Sequence, residues 1–379
     1  MAATTVFNRP KAGSLCGIVA AALALFGLSA FSASAAGCGT QLPPGRHPLT
    51  IESNGVTRHG IYFVPSAYDG KRKLPLVFDF HGSNSYPAGQ LNRSHWDQVA
   101  EQEGAMVIAL QGSLTGSIKG MHAWNVPGVK PIKGIKAEGL DDVRFISDAV
   151  SYAKDTFCVD PNRIYATGYS GGGRMLSQYI CSGSADFAAA GFVVSLRAGM
   201  PEREEDGQWR PQKASCQPAR PISIIAFSGL KDNVNPFAGG GGSYWQYGGE
   251  VAVKRWAEID KCKSKPIVEQ GEQVGVTSYE GCAEGTRVTS YTIANSGHAW
   301  PSQHIHFAVS SEGEKKIREV DATSRMWSFF RNAGTAGLMA GNTVEPACSD
   351  AAGTKGTDGS ACETPKVTIT PVSASSGPL

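Results

Sequence analysis

Three side chains able to perform nucleophilic chemistry stand in segments that follow predicted β-strands. Ser170 lies in "YATGYSGGG", Asp232 follows the strand "ISIIAFSG", and His298 follows the strand "RVTSYTIA". A serine hydroxyl becomes a competent nucleophile when a histidine accepts its proton and a carboxylate holds the imidazole in the correct tautomer. The order Ser, Asp, His along the chain therefore indicates a candidate acyl-transfer site.

The glycine-rich stretch around Ser170 has three competing interpretations. A phosphate-binding P-loop requires a lysine after the glycines, which is absent, and the dinucleotide spacing G-x-G-x-x-G does not fit. Residues 168–172 do match G-x-S-x-G between a predicted strand and a predicted helix, which is typical of a nucleophile elbow. A plain glycine-rich turn is the alternative.

Each of the two partner residues also has an ordinary structural interpretation. Asp232 precedes Asn233 and suits a turn, and a lone His298 suits a structural role in a loop. The elbow, the acid and the histidine meet three separate requirements of one mechanism in the expected order, which favours the catalytic interpretation.

A serine nucleophile also needs two backbone N–H groups that stabilise the developing oxyanion. Gly171, directly after the serine, is expected to supply one of them. The strand-to-loop junction "VFDFHGSN" is expected to supply the other from Ser83 or its neighbour. His81 in the same junction precedes the serine in the chain, and we interpret it as structural.

Apolar runs alternate with helical patterns through the middle of the chain. Strands are predicted at 60–64, 74–80, 105–110, 163–168, 222–229 and 287–294, and helices at 97–103, 141–157, 249–262 and 321–334. Several strands are apolar on both faces, as in buried parallel sheets. The pattern predicts an α/β domain over 37–334, with a doubly wound, mostly parallel sheet and helices on both faces.

The two ends of the chain differ from this domain. Residues 1–36 combine basic residues, a short apolar run and "SASAA", which predicts a secretory signal peptide rather than a membrane anchor. Residues 335–379 are rich in Gly, Ala, Ser and Thr and predict a low-complexity tail or linker. Secretion makes the sequon at Asn92 a candidate glycosylation site.

Nine cysteines are present, and eight remain after the predicted signal peptide is removed. An even number in an oxidising compartment predicts disulfides, although eight cysteines allow 105 pairings. Cys262 with Cys282 is the one pair that the spacing favours. Paired C-x2-C spacing is absent, so we expect no metal site.

The 379 residues have a formal net charge of +2. A nearly neutral chain offers no electrostatic reason to bind nucleic acid or an anionic membrane surface, so we expect neither partner.

Taken together, the segments "PLVFDFHG", "DDVRFI", "FCVDPNRIYATGYSGGG", "FSGLKDNVNPF", "GHAWP" and "DATSRMWSFF" resemble the secreted feruloyl esterases of the fungal B type. These belong to the family-1 carbohydrate esterases, which include acetylxylan esterases and are similar to polyhydroxybutyrate-depolymerase-like esterases. The resemblance implies an α/β-hydrolase fold and hydrolysis of feruloyl esters of plant cell-wall polysaccharide such as arabinoxylan, without a cofactor.

Residue by residue, the resemblance implies that Ser170 is the nucleophile, Asp232 the acid and His298 the base. It also suggests that Trp300 and Trp124 line the acyl pocket. The chain departs from the family pattern at Gly171 and in the acid loop "SGLKDNVNPF", which weakens the substrate assignment. Acetylxylan esterase and polyhydroxybutyrate depolymerase are therefore alternatives, and a non-catalytic carbohydrate-binding protein is an alternative of another class.

Overall fold

The structure, a computed structural model, describes Met1 and residues 37–130, 139–242, 245–302 and 320–333. The predicted signal peptide beyond Met1, the predicted tail, and Cys348 and Cys362 lie outside the described residues. The domain division at 37 and 334 therefore stays a prediction.

Fourteen strands occur in the described part of the chain. They are β1 (Gly45–Ser53), β2 (Val56–Val64), β3 (Leu74–Phe80), β4 (Met106–Leu110), β5 (Leu114–Thr115), β6 (His122–Ala123), β7 (Val159–Tyr169), β8 (Ala189–Val193), β9 (Pro201–Arg203), β10 (Trp209–Pro211), β11 (Ser223–Gly229), β12 (Ile267–Gln270), β13 (Val274–Tyr279) and β14 (Val288–Ile293). Ten of them form one sheet in the order β1-β2-β4-β3-β7-β8-β11-β14-β13-β12. The six strands from β4 to β14 run parallel, and antiparallel strands complete both edges.

Helices cover both faces of this sheet. They are α1 (Pro87–Ser94), α2 (Trp96–Glu103), α3 (Asp142–Thr156), α4 (Gly171–Cys181), α5 (Gly249–Ile259) and α6 (Ala322–Ala333). Helices α3, α4 and α5 bury their apolar side chains in one core, and α1, α2 and α6 bury theirs in a second core. Strand β3 shows why its sequence is continuously apolar: Phe78 faces the first core and Val77 the second.

The predicted fold class is confirmed, because a large, mostly parallel sheet lies between two helical layers. The strand–turn–helix unit at β7 and α4 gives it the α/β-hydrolase arrangement. The sequence patterns missed strand β8, "AAGFV", because small residues weaken its strand signal. Asp141 caps helix α3, since its side chain accepts a hydrogen bond from the Arg144 backbone N–H.

In the part of the chain that the structure describes, three disulfides join Cys38 to Cys158, Cys181 to Cys216, and Cys262 to Cys282. The pairing predicted for Cys262 and Cys282 is confirmed. Among the described residues, no helix combines the length and the apolar character needed to cross a bilayer.

Candidate active site

Ser170 occupies a strained turn between strand β7 and helix α4. Its backbone has φ 49° and ψ −113°, a conformation that a residue with a side chain rarely adopts. Its N–H donates to the Val193 carbonyl and its carbonyl accepts from the Arg174 N–H, so strand β8 and helix α4 hold the turn. This is the geometry of a nucleophile elbow, and the alternative of a plain glycine-rich turn does not describe it.

The glycines after Ser170 permit a very close approach between α4 and the sheet. A Cβ at Gly172 would lie 2.3 Å from the Phe80 carbonyl oxygen, and one at Gly173 would lie 1.9 Å from the Ser195 Oγ. Both distances are shorter than any tolerable contact. The run of glycines is therefore required by the packing of the elbow against the strand β3 end and the segment after β8.

The side chains of Ser170, His298 and Asp232 form one continuous hydrogen-bonded relay. His298 Nε2 lies 2.8 Å from Ser170 Oγ, and His298 Nδ1 lies 2.8 Å from Asp232 Oδ2. Since an ionised carboxylate only accepts, Nδ1 carries the proton and Nε2 accepts the serine proton. The three predicted residues thus meet at the carboxyl ends of β7, β11 and β14.

Asp232 is held in its ionised form by its neighbours. Burial raises the pKa of its carboxyl group, but hydrogen bonds from His298 and from the backbone N–H groups of Asn235 and Val234 outweigh that effect and lower the pKa below its usual value. A carboxylate in this state can stabilise an imidazolium when His298 takes a proton.

Two further side chains position the relay, and motif reasoning did not identify either role. The Tyr169 hydroxyl donates to the His298 backbone carbonyl at 2.8 Å, which ties the histidine loop to the elbow. The Asn235 amide donates to the Val194 carbonyl at 2.6 Å, which ties the acid loop to the segment after β8. Tyr169 lies inside the G-x-S-x-G motif, so its proximity to the serine was the only available signal.

The backbone of Ser83 lies beside that of Gly171, as the oxyanion-hole prediction requires. A Cβ at Gly171 would lie 2.9 Å from the Ser83 backbone nitrogen and 2.3 Å from its Oγ. His81 is fully buried and supports this loop: Nδ1 donates to the Gly82 carbonyl, and Nε2 accepts from the Gly112 N–H. Burial lowers the pKa of His81 to about 4, so the ring is neutral and structural.

The two tryptophans assigned to the acyl pocket require a correction. Trp300 is only 1% exposed, and its indole N–H donates to the Thr323 hydroxyl on α6. Trp124 is 4% exposed, and its N–H donates to the carbonyl of His81, two residues before Ser83. Both indoles are packed in the two cores and offer almost no surface to a substrate, so the position of Trp300 beside His298 in the sequence was misleading.

Asn92 lies on the exposed side of helix α1 and accepts a hydrogen bond from Arg46 at 2.6 Å. The serine of its sequon, Ser94, is fully buried and donates to Asp79. Glycosylation at Asn92 stays a prediction.

No protein-family model matches the chain. Among curated proteins, the chain is 28% identical over 248 residues to "Feruloyl esterase B" of Piromyces equi, covering 64% of this chain and 42% of that protein. It is 24% identical over 349 residues to "Poly(3-hydroxybutyrate) depolymerase" of Ralstonia pickettii, covering 83% of this chain and 65% of that protein. It is 25% identical over 277 residues to "Probable feruloyl esterase C" of Aspergillus clavatus, covering 71% of this chain and 87% of that protein.

These similarities confirm the resemblance to feruloyl esterases and to polyhydroxybutyrate-depolymerase-like esterases. The chain spans less than two thirds of the first two of these relatives. All three are named for the hydrolysis of carboxylic esters, which is the chemistry that a serine, a histidine and a carboxylate at hydrogen-bonding distance can perform.

Proposed function

We propose that the chain is a secreted serine esterase that hydrolyses feruloyl esters of plant cell-wall polysaccharide. The observation that carries the proposal is the relay from Asp232 through His298 to Ser170 at a strained elbow. The similarity to proteins named feruloyl esterase B and C supports the substrate class.

In the acylation half, Ser170 Oγ attacks the ester carbonyl carbon as His298 Nε2 takes its proton. The resulting tetrahedral oxyanion accepts hydrogen bonds from the backbone N–H groups of Gly171 and Ser83. When the bond to the sugar oxygen breaks, the His298 imidazolium returns the proton to that oxygen. The sugar alcohol leaves, and the acyl group stays on Ser170.

In the deacylation half, a water molecule takes the place of the sugar. His298 accepts a proton from the water as its oxygen attacks the acyl carbon, and the same proton restores the Ser170 hydroxyl when the acyl–serine bond breaks. Asp232 remains ionised throughout and stabilises the imidazolium. Water, ester and the three side chains account for every proton transferred.

A second substrate class has specific support. The similarity to the poly(3-hydroxybutyrate) depolymerase extends over 83% of the chain, more than the similarity to the feruloyl esterases. The buried positions of Trp300 and Trp124 also remove the argument for a bulky aromatic acyl group. Hydroxybutyrate polyester and acetylated xylan are therefore alternative substrates for the same mechanism.

Secretion is part of the proposal, and the disulfides in the described residues support it because such bonds persist in oxidising compartments. The mass of the protein recovered from culture medium tests the predicted cleavage. A mature chain that begins near Gly37 is expected, and an intact amino terminus would contradict it.

The deciding experiment measures initial rates on methyl ferulate, acetylated xylan and a polyhydroxybutyrate suspension, beside the matched variant Ser170→Ala. Ferulate release that Ser170→Ala abolishes is the expected result. Activity on acetyl esters or polyester alone would support the serine esterase mechanism but contradict the feruloyl ester as substrate. Folded wild-type protein that neither acts on the three substrates nor reacts with a fluorophosphonate would contradict the esterase proposal and favour the alternative of a non-catalytic carbohydrate-binding protein.

A further inference from the structure

A cavity of about 400 Å³ lies beside helix α4 and apart from the relay. The residues after β6, the residues after β8 and the segment before α5 form its other walls. Its described lining includes three cationic side chains, Lys130, Arg174 and Arg197, and no aspartate or glutamate. Its volume falls in the range of small-molecule binding sites.

Arg197 is the best-defined group of this lining. Its Nε donates to the Leu196 carbonyl and its Nη1 donates to the Tyr247 carbonyl, both at 2.8 Å. The guanidinium lies 3.6 Å from the ring centre of Trp245 and 3.9 Å from that of Tyr247. Two carbonyls and two aromatic rings therefore fix its plane and direction before any ligand arrives.

The positive charge of this guanidinium is buried, and no described carboxylate neutralises it. Arg197 is 7% exposed, and within the described residues its Nη2 has no hydrogen-bond partner and the group has no carboxylate partner. Burial lowers the pKa of Arg197 to about 10, so the group is still a cation at neutral pH. A buried cation without an anionic neighbour is costly, and a bound carboxylate would offset that cost.

The remaining lining suits a sugar ring rather than a bare ion. Gln178 and Gln246 present amide groups, while Val126 and Met200 present apolar surface. Amide groups hydrogen-bond sugar hydroxyls, and the apolar side chains can pack against the C–H faces of the ring.

Two elements that line the cavity, helix α4 and the segment after β8, also reach the reacting centre. Helix α4 starts directly after Ser170, so Arg174 lies about 6 Å further along the helix axis, roughly one turn. The segment that carries Arg197 is held by Asn235, which follows the acid Asp232 in the same loop. A polymer with its ester at Ser170 can therefore place a nearby sugar unit in this cavity.

We propose that the cavity binds the carboxylate of a uronic acid unit of the polysaccharide, with Arg197 in the wall and Lys130 at the mouth supplying the positive charge that attracts it. The identity of the polymer rests on the proposed function, whereas the recognition of the carboxylate rests on the cavity alone. The site selects acidic over neutral polysaccharide beside the ester.

Calorimetric titration of the Ser170→Ala protein separates the two proposals, because it requires no turnover. The ligand is a xylo-oligosaccharide that carries one glucuronate, and the matched control is the same oligosaccharide with that carboxyl reduced to the alcohol. We expect the reduced form to bind at least about 10-fold more weakly, because it loses the attraction between the carboxylate and the two cations. Equal affinities, or no binding of either ligand, would overturn the proposal.

Two variants in the Ser170→Ala background locate the binding. Lys130→Glu, at an exposed position, is expected to weaken glucuronate binding several-fold without changing binding of the reduced ligand. Arg197→Lys loses the carbonyl and ring contacts that hold the cation in the cavity wall, and is expected to weaken glucuronate binding further. Glucuronate binding that neither change affects would place the ligand elsewhere and refute the site.

A third arm uses free ferulate, which is the other source of a carboxylate. Ferulate that displaces the uronate ligand at lower concentration would assign the cavity to the acid product instead. Rates of wild-type protein on methyl ferulate are measured separately, so failure of the esterase proposal and failure of the uronate site give different results.

Discussion

Two buried aspartates in this molecule accept the same number of hydrogen bonds yet differ in pKa. Asp232, at the end of β11, accepts from His298 and two backbone N–H groups, and its pKa is lowered. Asp79, inside β3, accepts from Gln90, Ser94 and Thr167, and burial raises its pKa to about 6.

The difference shows that the number of hydrogen bonds does not decide the charge state. Asp79 lies deep in the sheet and its three donors are neutral side chains, which offset only part of the loss of water. Asp232 lies where the strand ends, and its partner His298 can itself become a cation. Asp232, in the loop after β11, is thus suited to proton-transfer chemistry, whereas Asp79, within the sheet, is suited to a structural role.

The largest expected effect is the loss of catalytic rate when Asp232 is changed. Asp232→Asn is expected to lower kcat about 10⁴-fold, because an amide does not hold His298 in the productive tautomer or stabilise its charged form. Steady-state kinetics on the best ester measures the change, with a thermal melt as the folding control. A kcat within about tenfold of wild type would remove Asp232 from the mechanism.

The next largest effect concerns the contact between Gly171 and Ser83, the two predicted oxyanion donors. Gly171→Ala is expected to lower kcat about 10²- to 10³-fold, because the new Cβ displaces the Ser83 amide from its donor position. Adding Ser83→Gly removes the crowding hydroxyl and should restore part of the activity. An unchanged kcat in Gly171→Ala would show that the Ser83 amide does not stabilise the transition state.

A third prediction concerns how stability varies with pH. The folded pKa of Asp79, about 6, lies above its unfolded value, so between about pH 4 and pH 6 only the folded state keeps the proton. The free energy of unfolding of wild type, relative to Asp79→Asn, should therefore fall by about 1–3 kcal/mol as pH rises through this window.

Urea unfolding at several pH values measures that difference, and Asp232→Asn is the matched comparison. The folded pKa of Asp232 is lowered, so its contribution is present above about pH 4 and is lost as pH falls further, the opposite slope. Parallel pH profiles for wild type and Asp79→Asn would contradict the raised pKa of Asp79.

The smallest effect is expected in the hydrogen bonds around Asp79. Ser94→Ala removes one of the three donors to Asp79 and should cost about 1–2 kcal/mol of stability at pH 7, where Asp79 is ionised. Chemical denaturation measures the cost, and kcat at pH 7 should change little. A large loss of kcat without destabilisation would assign this network a direct role in the reaction.

Much of the fold and the site could be predicted because its signals are local. The apolar runs that became β3 and β11 are buried on both faces, and the glycines after Ser170 have no room for a side chain. Trp300 shows where local reasoning fails. Its position next to the histidine loop says nothing about whether its ring turns toward substrate or toward Thr323 on α6, a residue that is distant in the sequence.

The sequence by itself determined the alternation of strands and helices, the elbow at Ser170 and the order of the three site residues, because each depends on short-range sterics and periodicity. Only the tertiary structure decided the charge states of Asp79 and Asp232, the burial of Trp300 and Trp124, and the cationic cavity around Arg197. Those properties depend on depth from solvent and on groups brought together from distant parts of the chain, which composition and spacing do not encode.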